Sequence, residues 1–261
     1  MARDWRIQYE GAVYHVMCRG VGGNEIFSQP QDYLRFEDYI ELAVERFNLT
    51  IYAYTLMTNH YHLFLCTHEA NLSRAIQWLQ SSYGMYYNLK HRKRGHLFQG
   101  RFKSIVIEDE SYFLGLSGYI HLNPVRAGIV KNLEEYQWSS YRDYVGTRRV
   151  HKWVEPNAVL KMFGGEKDNR AEEYRQWLLT RAGKEKEILN NVRYGIILGS
   201  DRFVEWIREK FGKGKEMEEE IPVMKQIRAE VEIGKVIEAI KKVFGVSDKE
   251  IQEGVGRKRE R

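Results

Sequence analysis

Apolar and β-forming residues fall into segments of two kinds along the first half of the chain. Segments rich in β-forming residues predict four strands, over residues 12–20, 49–57, 61–66 and 102–108. Apolar residues three and four positions apart predict helices over residues 31–47, 71–90 and 110–122, and a short helix over 138–145. The order β-α-β-β-α-β-α predicts an α+β, ferredoxin-like domain with a central antiparallel sheet.

The pattern changes after Gly146. Residues 151–261 carry charged runs and predict a mostly helical C-terminal region. We expect a domain over residues 1–146, a helical extension over 147–212, and a linker with further helices over 213–261. The last part contains Ser247-Asp-Lys-Glu250, a capping-box pattern that begins a helix. This run is similar to the beginning of the helix-turn-helix domain of the bacterial replication initiator. Either that domain is truncated here or the likeness is accidental.

The composition excludes several classes of protein. Of the 261 residues, 43% are hydrophobic and 30% are charged, which excludes fibrous and wholly disordered chains. No segment approaches about 18 consecutive apolar residues, and the N-terminus lacks the apolar core of a signal peptide. Two cysteines, Cys18 and Cys66, are too few for a disulfide framework and indicate buried, reduced thiols in a cytoplasmic protein.

Positive charge is concentrated in one segment. The formal net charge of +5 by itself only permits a nucleic acid or another anionic partner. However, no Asp or Glu occurs from Ala70 to Ile107, where Lys and Arg are interleaved with aromatic residues. Basic side chains neutralise phosphates, and aromatic rings stack on unpaired bases. The segment is therefore either a nucleic-acid surface or a solvated basic loop whose aromatic residues face the core.

Two histidines flank a tyrosine in His60-Tyr61-His62, at the start of the third predicted strand. Because residues i and i+2 of a strand point to the same face, His60 and His62 project together and Tyr61 points to the other side, toward the core. Two neutral imidazoles can hold a divalent metal ion, with a third ligand from elsewhere. The alternative is an incidental pair that binds no metal.

Tyr119 and Asn123 are four residues apart and share one face if the predicted helix continues to Asn123. A tyrosine hydroxyl can act as a covalent nucleophile, and an Asn carbonyl oxygen can bind a hard cation. Beside the histidine strand, this pair would suit phosphodiester cleavage, in which a metal polarises the phosphoryl oxygen while Tyr119 attacks phosphorus. The alternative is a tyrosine of the core and an ordinary helix end before Pro124.

Four segments carry more specific motifs. They are Leu56-Met-Thr-Asn-His-Tyr-His-Leu63, Gly95-His-Leu-Phe-Gln-Gly-Arg-Phe-Lys103, Tyr119-Ile-His-Leu-Asn-Pro-Val-Arg-Ala-Gly128 and Trp138-Ser-Ser-Tyr141. In order and spacing they resemble the REP-associated tyrosine transposases, a group of the HUH single-tyrosine transposases. The resemblance runs from Arg6 to Gly146. One departure is Thr58, where a proline is common in the family, and it touches no candidate ligand.

The resemblance implies a ferredoxin-like HUH fold and a role for each matching position. His60 and His62 would bind a divalent metal, magnesium or manganese, with Asn123 as the third ligand or as a phosphate-orienting group. Tyr119 would be the catalytic nucleophile. The implied reaction is cleavage and rejoining of single-stranded DNA next to a hairpin, through a 5′-phosphotyrosine and a free 3′-OH.

The family also implies a DNA-binding surface. The residues expected to contact DNA are Arg19, Arg92, Lys93, Arg94, Arg101, Lys103 and Arg126. The implied partner is single-stranded or hairpin DNA, at the nucleoid of the cytoplasm, and monomer and homodimer are both open. Two other functions stay open: a domesticated protein that binds hairpin DNA without moving it, and an RNA-binding ferredoxin-like domain. The second would leave the paired histidines unexplained.

Overall fold

A six-stranded sheet with helices on both faces organises the fold. The computed structural model describes residues 6–146, 151–164 and 169–211, together with residues 237, 238 and 241. Its strands are β1 (Ala12–Arg19), β2 (Leu49–Met57), β3 (His60–Thr67), β4 (Lys103–Ile107), β5 (Val192–Arg193) and β6 (Ile197–Leu198). Its helices are α1 (Pro30–Phe47), α2 (Leu72–Lys90), α3 (Phe113–His121), α4 (Asn123–Arg126), α5 (Tyr141–Tyr144), α6 (Asn157–Leu160), α7 (Arg170–Arg181) and α8 (Asp201–Phe211).

The four long strands form the antiparallel part of the sheet, in the spatial order β2-β3-β1-β4. β2 and β3 form a hairpin whose turn is Thr58-Asn59. In the register of β1 against β3, Met17 lies opposite His62 and Arg19 lies opposite His60. The α+β class and the central antiparallel strands predicted from the sequence are confirmed.

The two faces of the sheet bury different helices. On one face, Phe36 of α1 packs against Tyr83 of α2 and against Tyr61 of β3. On the other face, Phe64 of β3 packs against Phe113 of α3, within a buried cluster that extends to α7. Each large apolar side chain buried in this way contributes about 1.5–3 kcal/mol to stability. β3 is therefore fixed between two helical layers.

The structure differs from the sequence prediction at two places. The region after Gly146, predicted to be mostly helical, also contains β5 and β6, and β6 pairs in parallel with β4, so that the complete sheet is mixed. These strands have two residues each, too few to show an alternating pattern in the sequence. The predicted helix over 110–122 is a 3-10 turn at Glu110–Tyr112 followed by α3, and a separate helix begins at Asn123.

Residues Arg6–Ser200 form one compact unit, which contains the sheet and the first part of the predicted extension, and α8 belongs to a second unit. The domain boundaries at 146 and 212 stay predictions. The predicted linker and helix-turn-helix region, 213–261, lies outside the described residues except for residues 237, 238 and 241. Among the described helices, none is long and apolar enough to cross a membrane.

Candidate active site

The paired histidines lie at the start of β3, on the face of the sheet that carries α3. The ring centroids of His60 and His62 are 5.1 Å apart. Tyr61 points to the opposite face, where it is fully buried and its hydroxyl accepts a hydrogen bond of 2.9 Å from Nε2 of Gln80. The two histidines and the tyrosine therefore point to opposite sides of the strand, as predicted.

A hydrogen bond at Nδ1 orients each histidine ring. The amide nitrogen of Asn59 donates to the carbonyl of Gly23 at 3.1 Å, so the amide oxygen is the atom that accepts from Nδ1 of His60 at 2.7 Å. Nδ1 of His62 is hydrogen-bonded to Nε2 of His15 at 2.9 Å. Among the described residues, no hydrogen bond engages Nε2 of His60 or of His62. Both Nε2 atoms are therefore open to a ligand.

Burial and neighbouring positive charge keep both imidazoles neutral. Burial, Arg19 and Arg126 lower the pKa of His60 to about 4. Burial, with smaller effects of His15, His60 and Arg126, holds the pKa of His62 well below its usual value. At neutral pH both rings are therefore uncharged, and the neutral imidazole is the form that binds a metal ion.

This pair of donors fits a divalent ion that takes further ligands from its substrate. Neutral imidazole is the commonest side-chain ligand of metal ions, whereas Mg²⁺ and Mn²⁺ prefer oxygen ligands and Mg²⁺ takes several of them from water and substrate phosphates. In the part of the chain that the structure describes, no group of three or more His, Cys, Asp or Glu side chains could form a larger metal site. His60 and His62 would thus hold the ion, and phosphate and water oxygens would complete its coordination.

Tyr119 lies on α3 and faces the paired histidines. Its ring is edge-on to the rings of His62 and His15, with a centroid separation of 5.7 Å in both cases. The guanidinium of Arg126, on α4, lies 4.7 Å from the centroid of the Tyr119 ring, a distance at which a cation and an aromatic face attract each other. The structure thus brings the two candidate metal ligands, the candidate nucleophile and one predicted DNA contact together.

Contacts on the far side of α3 hold the tyrosine in this position. Gly118 packs so closely against Trp177 of α7 that a Cβ atom on Gly118 would lie 2.7 Å from the indole ring. The hydroxyl of Tyr174, also on α7, is hydrogen-bonded to Nδ1 of His121 at 2.7 Å. α7 therefore fixes the helix that carries Tyr119.

Asn123 is not placed among the candidate metal ligands. Its amide nitrogen donates to the carbonyl of Tyr119 at 2.9 Å, and its amide oxygen accepts from the guanidinium of Arg126. It is buried and does not line the cavity that contains His60 and His62. Of its two predicted roles, this geometry favours the orientation of a phosphate-contacting group, here Arg126, over direct coordination of the metal.

An open cavity of about 710 Å³ surrounds the histidines and Tyr119. Four of the predicted DNA-binding residues line it and are called the cavity cations: Arg19, Arg101, Lys103 and Arg126. Among the described residues that line this cavity, none is acidic. The other three lie in the exposed turn after α2, outside the cavity lining, and are called the loop cations: Arg92, Lys93 and Arg94. The structure therefore separates the predicted DNA contacts into two groups.

His15 and Asn59 belong to the site but were not predicted from the sequence. His15 meets His62 only because β1 pairs with β3 in a particular register, which a single sequence does not specify. The available signal was its position on one strand face with Met17 and Arg19, since alternate residues share a face. Asn59 lies in the hairpin turn, where Asn is common because it tolerates the backbone conformations of turns. Its residue type therefore did not indicate a role in the site.

The domain that contains this site is similar to a known family of transposases. Residues 8–123 match the family described as "Transposase IS200 like", and the match includes both histidines, Tyr119 and Asn123. Over these residues the chain is similar to the IS200-like transposases. The resemblance inferred from the four sequence motifs is thereby confirmed.

One solved structure that is similar to this chain is described as "Structure of the REP associates tyrosine transposase bound to a REP hairpin". The two chains share 16% sequence identity with a TM-score of 0.49, over 64% of this chain and 93% of that chain. A similarity of this size carries no information about activity or ligands. No curated protein matches this chain.

Proposed function

We propose that this domain is a metal-dependent endonuclease and strand transferase that cleaves and rejoins single-stranded DNA next to a REP-like hairpin. Tyr119 is the nucleophile, and His60 and His62 hold the metal ion. The observation that carries the proposal is the contact between the rings of Tyr119 and His62 in a cavity lined by cations. Ring contact between a tyrosine and a histidine in one cavity supports a site in which the tyrosine hydroxyl and a metal ion held by the histidines act on the same phosphate.

Cleavage begins when the hydroxyl oxygen of Tyr119 attacks phosphorus. A bond forms between the tyrosine oxygen and phosphorus, the bond from phosphorus to the 3′-oxygen breaks, and in the net balance the phenolic proton ends on that 3′-oxygen. The products are a 5′-phosphotyrosine and a free 3′-OH. When bound, the metal ion supplies a Lewis acid for a phosphoryl oxygen. Because one phosphodiester is exchanged for another, attack by a 3′-OH rejoins the DNA without ATP.

Arg126 stabilises the charge that develops in this step. Its guanidinium lies over the ring of Tyr119 and is held there by the amide oxygen of Asn123. Negative charge grows on the phosphoryl oxygens as the tyrosine attacks. A cation already fixed beside the reacting group stabilises that charge without a reorganisation cost.

The cavity cations bind the DNA backbone around the scissile phosphate. Arg101 lies just before β4, Lys103 begins β4 and Arg19 ends β1. Three of these side chains therefore come from the end of the sheet at which β3 begins with the histidines. Contacts from Lys and Arg to phosphate fix the position of the nucleic acid but do not specify its sequence. The cavity cations therefore determine affinity, and recognition of a hairpin depends on other contacts.

The test is formation of a covalent adduct. A hairpin oligonucleotide with a single-stranded flank, labelled at its 3′ end, is incubated with the protein and Mn²⁺ and separated on a denaturing gel. The wild-type protein is expected to give a shifted band because the 5′-phosphotyrosine carries the labelled fragment. Tyr119→Phe keeps the ring and removes only the attacking oxygen, so it should abolish this band and leave hairpin binding nearly unchanged.

Tyr112→Phe is the matched control, since Tyr112 precedes α3 and does not line the cavity. This variant should form the adduct at the wild-type level. An adduct that persists in Tyr119→Phe would move the nucleophile to another tyrosine. Hairpin binding by the wild-type protein with no adduct would favour a DNA-binding protein without transposition activity, and a preference for RNA would favour an RNA-binding domain.

A further inference from the structure

His15 is a third histidine beside the paired histidines, and the proposed mechanism does not use it. It lies on β1, is 1% exposed and does not line the cavity. Its ring lies side by side with that of His62, with centroids 5.1 Å apart and 23° between the ring planes, as expected for a hydrogen bond in the plane of the rings. Its Nε2 atom is 2.9 Å from Nδ1 of His62. The partner of one ring nitrogen determines which nitrogen of a histidine carries the proton, and so controls metal binding.

Two arrangements of protons satisfy the hydrogen bond between these neutral rings. In the first, His15 donates from Nε2, and the one proton of His62 is on its Nε2, the open atom. In the second, His62 donates from Nδ1, and its Nε2 carries a lone pair. Only the second arrangement lets His62 bind a metal ion. Among the described residues, Nδ1 of His15 is buried without a hydrogen-bond partner. The second arrangement makes this atom an unpaired donor, a cost that a ligand at Nε2 of His62 would have to offset.

We infer that His15 is a positioning residue for the metal site: its Nε2 accepts the Nδ1 proton of His62 and keeps the Nε2 lone pair of His62 directed to the ion. This inference rests on the proposed function, in which His62 is a metal ligand. His60 has a corresponding acceptor in the amide oxygen of Asn59. Each candidate ligand thus has its own acceptor behind the ring, as metal-bound histidines commonly have.

His15 also acts as a spacer, because its ring contacts both His62 and Tyr119. The two properties of His15 can be separated by substitution. His15→Phe keeps an aromatic ring of similar size and removes the acceptor. His15→Gln removes the ring and keeps an acceptor oxygen that can reach the position of Nε2.

The test compares Mn²⁺ binding to the full-length wild-type protein and its variants, without DNA, by calorimetry or by electron paramagnetic resonance of free Mn²⁺. His15→Phe should lower the Mn²⁺ affinity by about 10–100-fold, the usual effect of removing the partner of a metal-bound histidine. His15→Gln should retain most of the affinity. His60→Ala, which removes a proposed ligand, gives the reference for a lost site.

Three outcomes are distinguishable. If the wild type binds Mn²⁺, His60→Ala does not, and His15→Phe binds as the wild type does, the inference about His15 is wrong and the proposed metal site stands. If the wild type binds no Mn²⁺, the proposed metal site is wrong and the role of His15 is wrong with it. A loss confined to His15→Phe and His60→Ala supports both.

A second measurement covers the case in which His15→Phe does not fold. The wild-type protein, with its eight histidines labelled with ¹⁵N, is studied by nuclear magnetic resonance at saturating Mg²⁺, which does not broaden the signals. The expected result is a proton on Nδ1 of His62 and none on its Nε2. A proton on Nε2 of His62 would overturn the inference.

Discussion

Substitution of Gly118 by Ala should push α3, the helix that carries Tyr119, away from α7. Gly118 lies next to Tyr119 in the middle of α3, and the indole of Trp177 occupies the space beside its Cα atom. A Cβ atom at this position would be 2.7 Å and 2.8 Å from two carbons of the indole and 3.3 Å from a methyl group of Leu178. One of the two helices must therefore move.

The magnitude follows from two opposing effects. Carbon atoms in contact are about 3.5–4.0 Å apart, so the new methyl group would overlap the indole by about 0.7–1.3 Å. Overpacking of a core costs about 1–3 kcal/mol. Replacing Gly by Ala inside a helix recovers about 1 kcal/mol. The expected net loss for Gly118→Ala is about 1 kcal/mol, or about 2–4 °C in Tm for a domain of this size.

Urea denaturation followed by circular dichroism measures this effect, and Gly84→Ala is the matched control. Gly84 is also inside a helix, α2, but the nearest atom to its Cβ position is Cβ of Leu97 at 4.0 Å, an ordinary contact. Gly84→Ala should therefore stabilise the protein by about 1 kcal/mol. The two variants should differ by about 2 kcal/mol. Equal stabilisation by both would refute the conclusion that α7 holds α3 through this contact.

Two further predictions concern charged residues. Changing Arg101 and Lys103 together to Gln should lower the slope of log affinity against log salt concentration by about 1.4–1.8, since each phosphate contact contributes about 0.7–0.9. Changing residues 92–94 to Ala should lower the affinity equally for unrelated hairpins. Fluorescence anisotropy at several salt concentrations measures both, and a variant whose slope equals that of the wild type would show that its substituted residues do not contact DNA phosphates. Burial raises the pKa of Asp32, but hydrogen bonds from Lys90, the backbone and a neighbouring histidine outweigh it and leave the pKa lowered. Its carboxylate therefore stabilises the fold above its unfolded pKa of about 3.9, and this stabilisation is lost as the pH falls below that value. Below about pH 4, the urea midpoint of Asp32→Asn should depend less on pH than that of the wild type. Parallel pH profiles of the two proteins would contradict this.

Local sequence patterns predicted the strands that carry the site. The segment predicted over 49–57 is β2, Leu49–Met57, and β3 extends the predicted segment by one residue at each end to His60–Thr67. The alternation of side chains along a strand then predicted that His60 and His62 share a face, because residues i and i+2 of any strand point to the same side. Features that arise within a single element were therefore available from the sequence.

Features that depend on contacts between distant segments were not available. The hydrogen bond between His15 and His62 joins residues 47 positions apart, and the pairing of β6 with β4 adds a strand whose two residues carry no period. Asn123 shows the same limit, because its spacing from Tyr119 suggested a shared face, whereas its hydrogen bond to Arg126 determines where its side chain points. A pattern in the sequence identifies which residue types are near one another along the chain, and tertiary packing decides what each one contacts.

The charges of the cavity indicate how one site would serve both a nucleic acid and a metal ion. The cavity cations attract phosphate and repel a divalent ion, and two of them also help to lower the pKa of His60 to about 4. The lowered pKa removes the proton that competes with a metal for the imidazole nitrogen. Bound phosphate offsets the repulsion because it brings negative oxygens to the place where these cations converge. In the proposed enzyme, DNA and metal therefore strengthen each other's binding by the same factor.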